Sequence, residues 1–372
     1  MSNFPLRSYP TPIKKTNRFI LLPLIITTLI CFISLISPYF PATYSPLIHL
    51  FTLFIPVVFI LLIIAILFSL LFRQRILAII NILLLLFGVS YFEKMWAFPK
   101  ECYNAQNSDF TVITFNASFF RVLKVFSEEY YDLTANPKGQ ELIQYVTAQS
   151  AEIICLQEFF NDVNYEPYNV ISTMQANGYD YYFLKDSKHD NGIDRGIITF
   201  SKFPIIDSGR VFLSENNYNG ASFIDVEYQN SILRIINVHL ESMELYFGQQ
   251  NIISKARYGL RQYKRASIAR NYQTQELLSF IDKSPYPILL MGDFNELPIS
   301  YNLQRFSDQL GSAFQQAGSG FGTTLTTTSS VIPARIDNIF LSEGINATCL
   351  TVDQSITTSD HYPVYSTVHI KD

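Results

Sequence analysis

Eight polar residues in the later two-thirds of the chain stand where apolar runs end. They are Asn116 in TFNAS, Glu158 in ICLQEFF, His239 in INVHLES, Asp293 and Asn295 in LLMGDFNELP, Asp337 in ARIDNIF, and Asp360 with His361 in TTSDHYPV. Each run is short and rich in β-forming residues, so it reads as a buried strand with the polar residue where the strand emerges into a loop. Carboxylates, amides and imidazoles delivered by six strand ends are the parts that magnesium-dependent hydrolysis of a phosphate ester requires. Magnesium takes oxygen ligands in octahedral geometry and keeps several waters, so one or two carboxylates and a substrate phosphate suffice. Glu158 is the leading ligand, because an acid directly after IICLQ has little reason to be buried unless it binds something. Asn116 could ligate through its amide oxygen or steady a phosphate oxygen; an Asx turn is the plainer alternative. Asp360 is a further metal-capable carboxylate, next to an imidazole.

Hydrolysis also needs a water made nucleophilic and a stabilised leaving oxygen. Asp293 can take the proton of the water. Asn295, two residues on, shares its face if the strand continues, and could hold the water or the phosphate. A charged His361 would neutralise developing negative charge, with Asp337 orienting it. His239 ends a strand of its own and can donate to the leaving oxygen or to a phosphoryl oxygen. Each residue has a bland reading: an exposed loop acid for Glu158, a capped turn for Asp293 and Asn295, a structural histidine for His239. The set as a whole favours chemistry.

The elements that must carry these residues fall into two unlike parts. Residues 1–100 hold eight Lys or Arg and one acid, hence +7, so the remainder carries −11 to give the net −4. From Phe19 to Phe92 the chain is almost wholly apolar. The pattern is that of a membrane anchor of three spans, about Phe19–Ser37, Leu47–Phe72 and Ile76–Tyr91, judged against a ~30 Å hydrocarbon core. The third is short and leaves a re-entrant segment open. A cleaved signal peptide does not fit an apolar region this long, interrupted twice. Arg7, Lys14, Lys15 and Arg18 precede the first span, and Arg73 and Arg75 separate the second from the third. The positive-inside rule then puts the amino terminus and that second loop in the cytoplasm. With three spans, the globular part lies on the outer, periplasmic or extracellular, face of the inner membrane; with two it would lie inside.

Cys31 falls in the first span and Cys155 in a buried run. Cys102 and Cys349 remain, and their pairing is left open. No cysteine or histidine spacing suggests zinc.

A polar linker, 93–108, leads into strand signals at Phe110–Phe115, Glu152–Leu156, Gly196–Phe200, Ser222–Glu227, Ile232–Val238, Ile288–Met291, Ile336–Leu341 and Val364–Ile370. Helical periodicity marks Lys138–Gln149, Ala266–Asp282 and Tyr301–Leu310. Strands dominate, which predicts two packed sheets covered by helices, an α/β architecture. Two other stretches stand out. Lys255–Arg270 holds six bases, which form either a solvated helix face or a contact for anionic headgroups or a polyanion. Gly318–Leu325 (GSGFGTTL) reads as a rim loop near RIDNIF and lacks the strand-to-helix context of a phosphate-cradling loop.

Taken in order, TFN, LQE, GIITFSKFPI, NVHLES, GDFNELP, RIDNIF and SDHYPV resemble the endonuclease/exonuclease/phosphatase superfamily over residues 109–370. That superfamily includes pancreatic deoxyribonuclease, abasic-site endonucleases, inositol polyphosphate 5-phosphatases and neutral sphingomyelinases. The chain is most similar to a bacterial branch in which the domain follows a multi-span anchor. The resemblance implies a four-layer α/β/β/α sandwich with its site where the sheets open. It implies Asn116 and Glu158 at the metal, His239 at the phosphate, Asp293 and Asn295 handling water and phosphate, and Asp337 near His361. Two residues depart from the pattern: Glu296 where Asp is usual, and Asn338 where an aromatic is common. The expectation is a membrane-anchored phosphoesterase, a phosphodiesterase acting on nucleic acid or a phospholipid headgroup. It would use Mg²⁺, with Mn²⁺ as a substitute, and be held in the bilayer through residues 19–92. Nothing in the sequence points to a protein partner. The −11 balance disfavours broad electrostatic binding to a duplex. The rival is a catalytically silent membrane receptor on the same scaffold.

Overall fold

The computed structural model describes residues 18–102, 109–122, 136–185, 192–213, 218–243, 251–326 and 333–371. Arg7, Lys14 and Lys15 and part of the 93–108 linker lie outside the described residues.

Four helices come first: α1 (Arg18–Ile36), α2 (Pro46–Leu50), α3 (Ile55–Leu71) and α4 (Arg75–Met95). Three stretches, Phe19–Tyr39, Pro46–Leu71 and Arg75–Met95, are long and apolar enough to cross a membrane. Their outer faces are apolar too. Leu71 is 72% exposed and Ile76 76%, a surface that water would not favour and lipid would. Several polar residues, Thr28, Ser34, Ser69 and Asn81, are buried between the helices. The last of these helices, α4, runs on to Met95 rather than Tyr91, so Glu93–Met95 are helical and not linker. The chain then stays close to the globular part. Ala97 pairs with Gly320, Trp96 meets Phe321 edge-on at 4.8 Å, and Cys102 is disulfide-bonded to Cys349.

The globular part runs β1 (Asp109–Asn116), α5 (Pro137–Thr147), β2 (Ile153–Asp162), α6 (Val170–Ala176), β3 (Tyr181–Lys185), β4 (Ile193–Ser201), β5 (Ile205–Leu213), β6 (Gly220–Tyr228), β7 (Ser231–His239), α7 (Ile252–Asp282), β8 (Ile288–Asp293), α8 (Tyr301–Gln309), β9 (Gly311–Ser312), α9 (Ala313–Ala317), β10 (Asp337–Leu341), β11 (Ile345–Val352) and β12 (Val364–Ile370). It forms two six-stranded mixed sheets, ordered β11-β12-β1-β2-β4-β3 and β5-β6-β7-β8-β10-β9. At the middle of each lies a parallel pair, β1 with β2 and β7 with β8.

Strand alternation sorts the side chains into layers. Phe110 and Val112 of β1, Ile153 and Cys155 of β2, Leu233 and Ile235 of β7, and Leu289 and Met291 of β8 fill the space between the sheets. The intervening residues point outward. Ile113, Phe115, Ile154 and Leu156 pack under α5 and α6. Ile236, Val238, Leu290 and Phe294 pack under α7 and α8. The result is the four-layer α/β/β/α sandwich expected. Helix α7 begins at Ile252 rather than Ala266, capped by the Asn251 side chain accepting from Ser254 N–H. Its first half is largely exposed, so apolar spacing does not reveal it.

Candidate active site

The inward-facing column of each central strand ends in a polar residue at the same mouth. In β1 the column Phe110, Val112, Thr114 ends at Asn116. In β7, Leu233, Ile235 and Asn237 lead to His239, and in β8, Leu289 and Met291 lead to Asp293. Parallel pairing sets His239 opposite Asp293. That close approach depends on Gly292: its φ is 147°, and a Cβ there would lie 1.9 Å from the Val238 carbonyl oxygen. Across the other edge of β8, Asp337 opens β10 opposite Asp293. In β2 the column Ile153, Cys155, Gln157 would stop one residue short of an acid. A register shift between Leu156 and Phe159, with Glu158 at φ 47°, turns Glu158 into the mouth instead. A non-glycine residue held there is strained, as is common where a side chain must be aimed.

Beneath the mouth, Gln157 and Asn237 tie the two sheets. Gln157 Nε2 donates to Asn237 Oδ1 at 2.7 Å and to Thr114 Oγ1 at 3.1 Å, and Asn237 Nδ2 donates to the Ile198 carbonyl at 2.9 Å. Polar atoms this deep cost stability unless satisfied; Gln157 Nε2 and both ends of the Asn237 amide are paired here, while Gln157 Oε1 has no partner among the described residues.

All eight predicted residues converge. His239 Nε2 lies 3.6 Å from Asp293 Oδ2 and 3.8 Å from Glu158 Oε1. His361 Nε2 lies 3.6 Å from the same Asp293 oxygen, while its Nδ1 is hydrogen-bonded to Asp337 Oδ2 at 2.9 Å. Asn116 Nδ2 donates to Glu158 Oε1 at 3.2 Å and Asp293 Oδ2 at 3.1 Å, and its oxygen accepts from Ser118 N–H. Asn295, at φ 52°, donates from Nδ2 to the Leu240 carbonyl at 3.0 Å, and its N–H caps Asp293 Oδ1 at 2.8 Å. Asp360 is reached by the Ser118 hydroxyl.

Three residues with supporting parts carried no sequence signal of their own. Ser359 donates to the Asn116 carbonyl, Ser118 touches Asp360, and Thr324 Oγ1 accepts from Asp337 N–H. Serine and threonine are too common to stand out, although Ser359 lies inside the polar TTSDH run. Thr324 belongs to the GSGFGTTL loop, which does lie against RIDNIF.

The charges are unevenly balanced. Burial and the neighbouring Asp360 push the Glu158 carboxyl up to about 7, although 27% of its side chain still reaches solvent. Burial also raises Asp293, with Asp337 adding to it and the two imidazoles opposing. Burial works against a charge on His361, but Asp337 and Asp293 outweigh it and hold the imidazole well above its usual range. The two carboxylates thus favour the charged, imidazolium form of His361. Burial likewise opposes a charge on Asp360, which His361 and Ser118 nevertheless hold below the usual carboxylate range.

This donor set fits a divalent cation. Asp337 Oδ1 is buried with no hydrogen-bond partner among the described residues. Glu158 is pushed toward neutrality first by burial and then by Asp360, and a cation beside it would offset both. Donor atoms of Asp293, Asp337 and His361 lie within 4.8 Å of one another. An imidazolium repels a cation, however, so the oxygens of Asn116, Glu158 and Asp360 suit a hard metal better. Asn116 would present its oxygen only after turning its amide over.

A model described as the Endonuclease/Exonuclease/phosphatase family matches residues 113–361. The chain belongs to this family. The family's members are hydrolases of phosphate esters and generally use divalent metal ions. Among solved structures, the chain is similar to an endonuclease/exonuclease/phosphatase from Beutenbergia cavernae DSM 12333, at 17% identity over 71% of this chain and 72% of that one, with a TM-score of 0.49. It is also similar to sphingomyelinase C from Streptomyces griseocarneus (16%, 70% and 99%, 0.48) and to the human Nocturnin catalytic domain with bound sulfate (17%, 72% and 97%, 0.48). No curated protein matches the chain.

Proposed function

We propose that this family member is a membrane-anchored, Mg²⁺-dependent phosphodiesterase working on the outer face of the inner membrane. The observation that carries the reading is the position of Asp293: one carboxylate oxygen within 3.6 Å of both imidazoles, in the mouth that also holds Asn116 and Glu158. A divalent cation held by Glu158, Asp360 and Asn116 would supply Lewis-acid polarisation of a phosphoryl oxygen. Asp293, its affinity for a proton raised by burial, accepts the proton of the attacking water. Asn295 donates to the Leu240 carbonyl through its nitrogen, so its oxygen is the end it can offer that water. His361, kept charged by Asp337, neutralises charge building on the phosphoryl oxygens. His239 donates to the leaving oxygen. Mn²⁺ should substitute for Mg²⁺.

Three observations support the location. Arg73 and Arg75 flank the turn between α3 and α4, as expected of a cytoplasmic loop. The loop between α1 and α3 touches the globular part, as does the end of α4, so both belong to the opposite side. The Cys102–Cys349 disulfide suits an oxidising compartment.

The test of function is a panel of plasmid DNA, sphingomyelin, phosphatidylinositol phosphates and bis-p-nitrophenyl phosphate, offered to the full-length chain in detergent. Hydrolysis of at least one ester by the wild type, and of none by Asp293→Asn, is expected. Inactivity toward all would sink the reading. A reporter fused after residue 372 should be active only in its exported form; cytoplasmic activity alone would reverse the topology.

A further inference from the structure

Asn295 is followed by Glu296, which is 4% exposed. Glu296 Oε1 accepts from Arg270 Nε at 2.8 Å and from Asn302 Nδ2 at 3.0 Å. The same Arg270 gives Nη1 to the Glu241 carbonyl at 2.8 Å, two residues beyond His239. Glu241 N–H donates to Gln273 Oε1 at 2.9 Å, and its carboxylate meets Arg265 at 2.7 Å. Leu240, between His239 and Glu241, accepts from Asn295 on its carbonyl and gives its N–H to the Asp293 carbonyl at 2.9 Å. The segments that leave His239 and Asn295 are thus bound to each other and to one face of α7.

The three-helix anchor closes the outer side of this network. Thr43 Oγ1 donates to Asn271 Oδ1 at 2.8 Å, and Asn271 Nδ2 donates to Asn302 Oδ1 at 2.8 Å, on the residue that also holds Glu296. His49 of α2 meets the Tyr263 hydroxyl at 2.7 Å. An apolar seam runs alongside. Leu297 and Ile299, just after the catalytic loop, and Ala334, just before Asp337, share one buried cluster with Cys31, Leu35 and Met95 of the anchor. Burial opposes a charge on Glu296, but Arg270 outweighs it and holds the carboxyl below its ordinary range, so the ion pair persists.

We propose that Glu296 and Arg270 are positioning residues that hold Asn295 and the His239 strand end in place, and that Thr43 and His49 complete the same network, making the anchor a working part of the active site rather than a tether. The proposal rests on the phosphoesterase reading for its kinetic consequence but not for its structural one. Removing Arg270 would leave an uncompensated buried charge and endanger folding. Glu296→Gln keeps the shape and an acceptor for Arg270 but also leaves that guanidinium, 2% exposed, without its counter-charge; Thr43→Val, which removes one hydroxyl, is the milder variant.

The experiment uses the full-length chain in phospholipid nanodiscs. It measures hydrogen–deuterium exchange, the thermal midpoint, and kcat and KM on bis-p-nitrophenyl phosphate. Misplacing a reacting group by ~1 Å can cost roughly 10²-fold in rate. Glu296→Gln should therefore lower kcat by about 10- to 100-fold with KM little changed, and Thr43→Val by less. In both, exchange should rise in residues 238–243 and 293–300 while β1 and β2 keep wild-type protection. Wild-type exchange and kcat in both variants would overturn the proposal, as would a uniform rise in exchange with a lowered midpoint. If Glu296→Gln does not fold, Thr43→Val decides alone. If the wild type hydrolyses nothing, the phosphoesterase reading fails, and the exchange pattern still decides the positioning.

Discussion

The two sheets share a plan and hand the mouth different chemistry. Each centres on a parallel pair whose inward column ends at the site. The first sheet ends in an amide, Asn116, and an acid, Glu158, that a bulge lifts out of the regular pleat, and that acid still reaches solvent. The second ends in His239 and Asp293 in unbroken register, their side chains 2% and 1% exposed. Exposure separates the tasks on our reading. An acid that solvent can reach suits a cation that must enter and exchange. Buried acids and imidazoles suit proton transfer and charge stabilisation, because low dielectric strengthens interactions over a few ångströms.

That division is open to attack from either sheet. The largest effect should come from the second. Asp293→Asn removes the base and should lower kcat by roughly 10⁴-fold, at the upper end for a general base; excess metal should not restore it. Glu158→Gln, in the first sheet, should also collapse activity, but raising Mg²⁺ or Mn²⁺ should recover part of it. Equal responses of the two variants to a metal titration would erase the distinction between the sheets.

Smaller effects sharpen it within the second sheet. Asp337→Asn loosens His361 and weakens its charge, so kcat should fall by about 10²–10³-fold with KM little changed. A rise in KM alone would assign the dyad to binding. His239→Ala should cost a similar factor on a poor leaving group and much less on a p-nitrophenyl ester, which needs no proton. The same defect on both would show that His239 binds phosphate rather than donating a proton. The smallest kinetic effect belongs to the floor between the sheets. Gln157→Leu leaves Asn237 short of a buried partner, so stability should drop by about 1–3 kcal/mol with kcat nearly unchanged. Chemical denaturation of the purified chain would measure it.

The apolar runs in the sequence announce the inner strands and miss the rim. The four strands they leave out, β3, β5, β9 and β11, are the four edges of the two sheets. An edge strand pairs on one side only and keeps more surface in solvent, so its residues need not form an apolar run. Tyr181 and Tyr182 of β3 are 38% and 40% exposed, and β5 carries Asp207, Gly209 and Arg210. The eight site residues were legible because each interrupts an apolar run at its end. What was not legible depends on contacts between distant parts of the chain: the bulge that aims Glu158, the Gln157–Asn237 bridge, and the Arg270–Glu296 pair. Of the six bases between Lys255 and Arg270, Arg265 and Arg270 are committed to Glu241 and Glu296, while Arg257, Arg261 and Lys264 are exposed. Composition alone treats all six alike.

The central claim is that the mouth is a metal-dependent phosphodiester hydrolase, and a metal titration tests it most directly. The full-length chain would be stripped with EDTA and its hydrolysis of bis-p-nitrophenyl phosphate followed as Mg²⁺ is returned, beside Glu158→Gln. The account predicts no turnover after chelation, recovery with Mg²⁺ in the wild type, and recovery only at much higher Mg²⁺ in the variant. Turnover that ignores EDTA, or a variant that recovers at the same Mg²⁺ as the wild type, would contradict it.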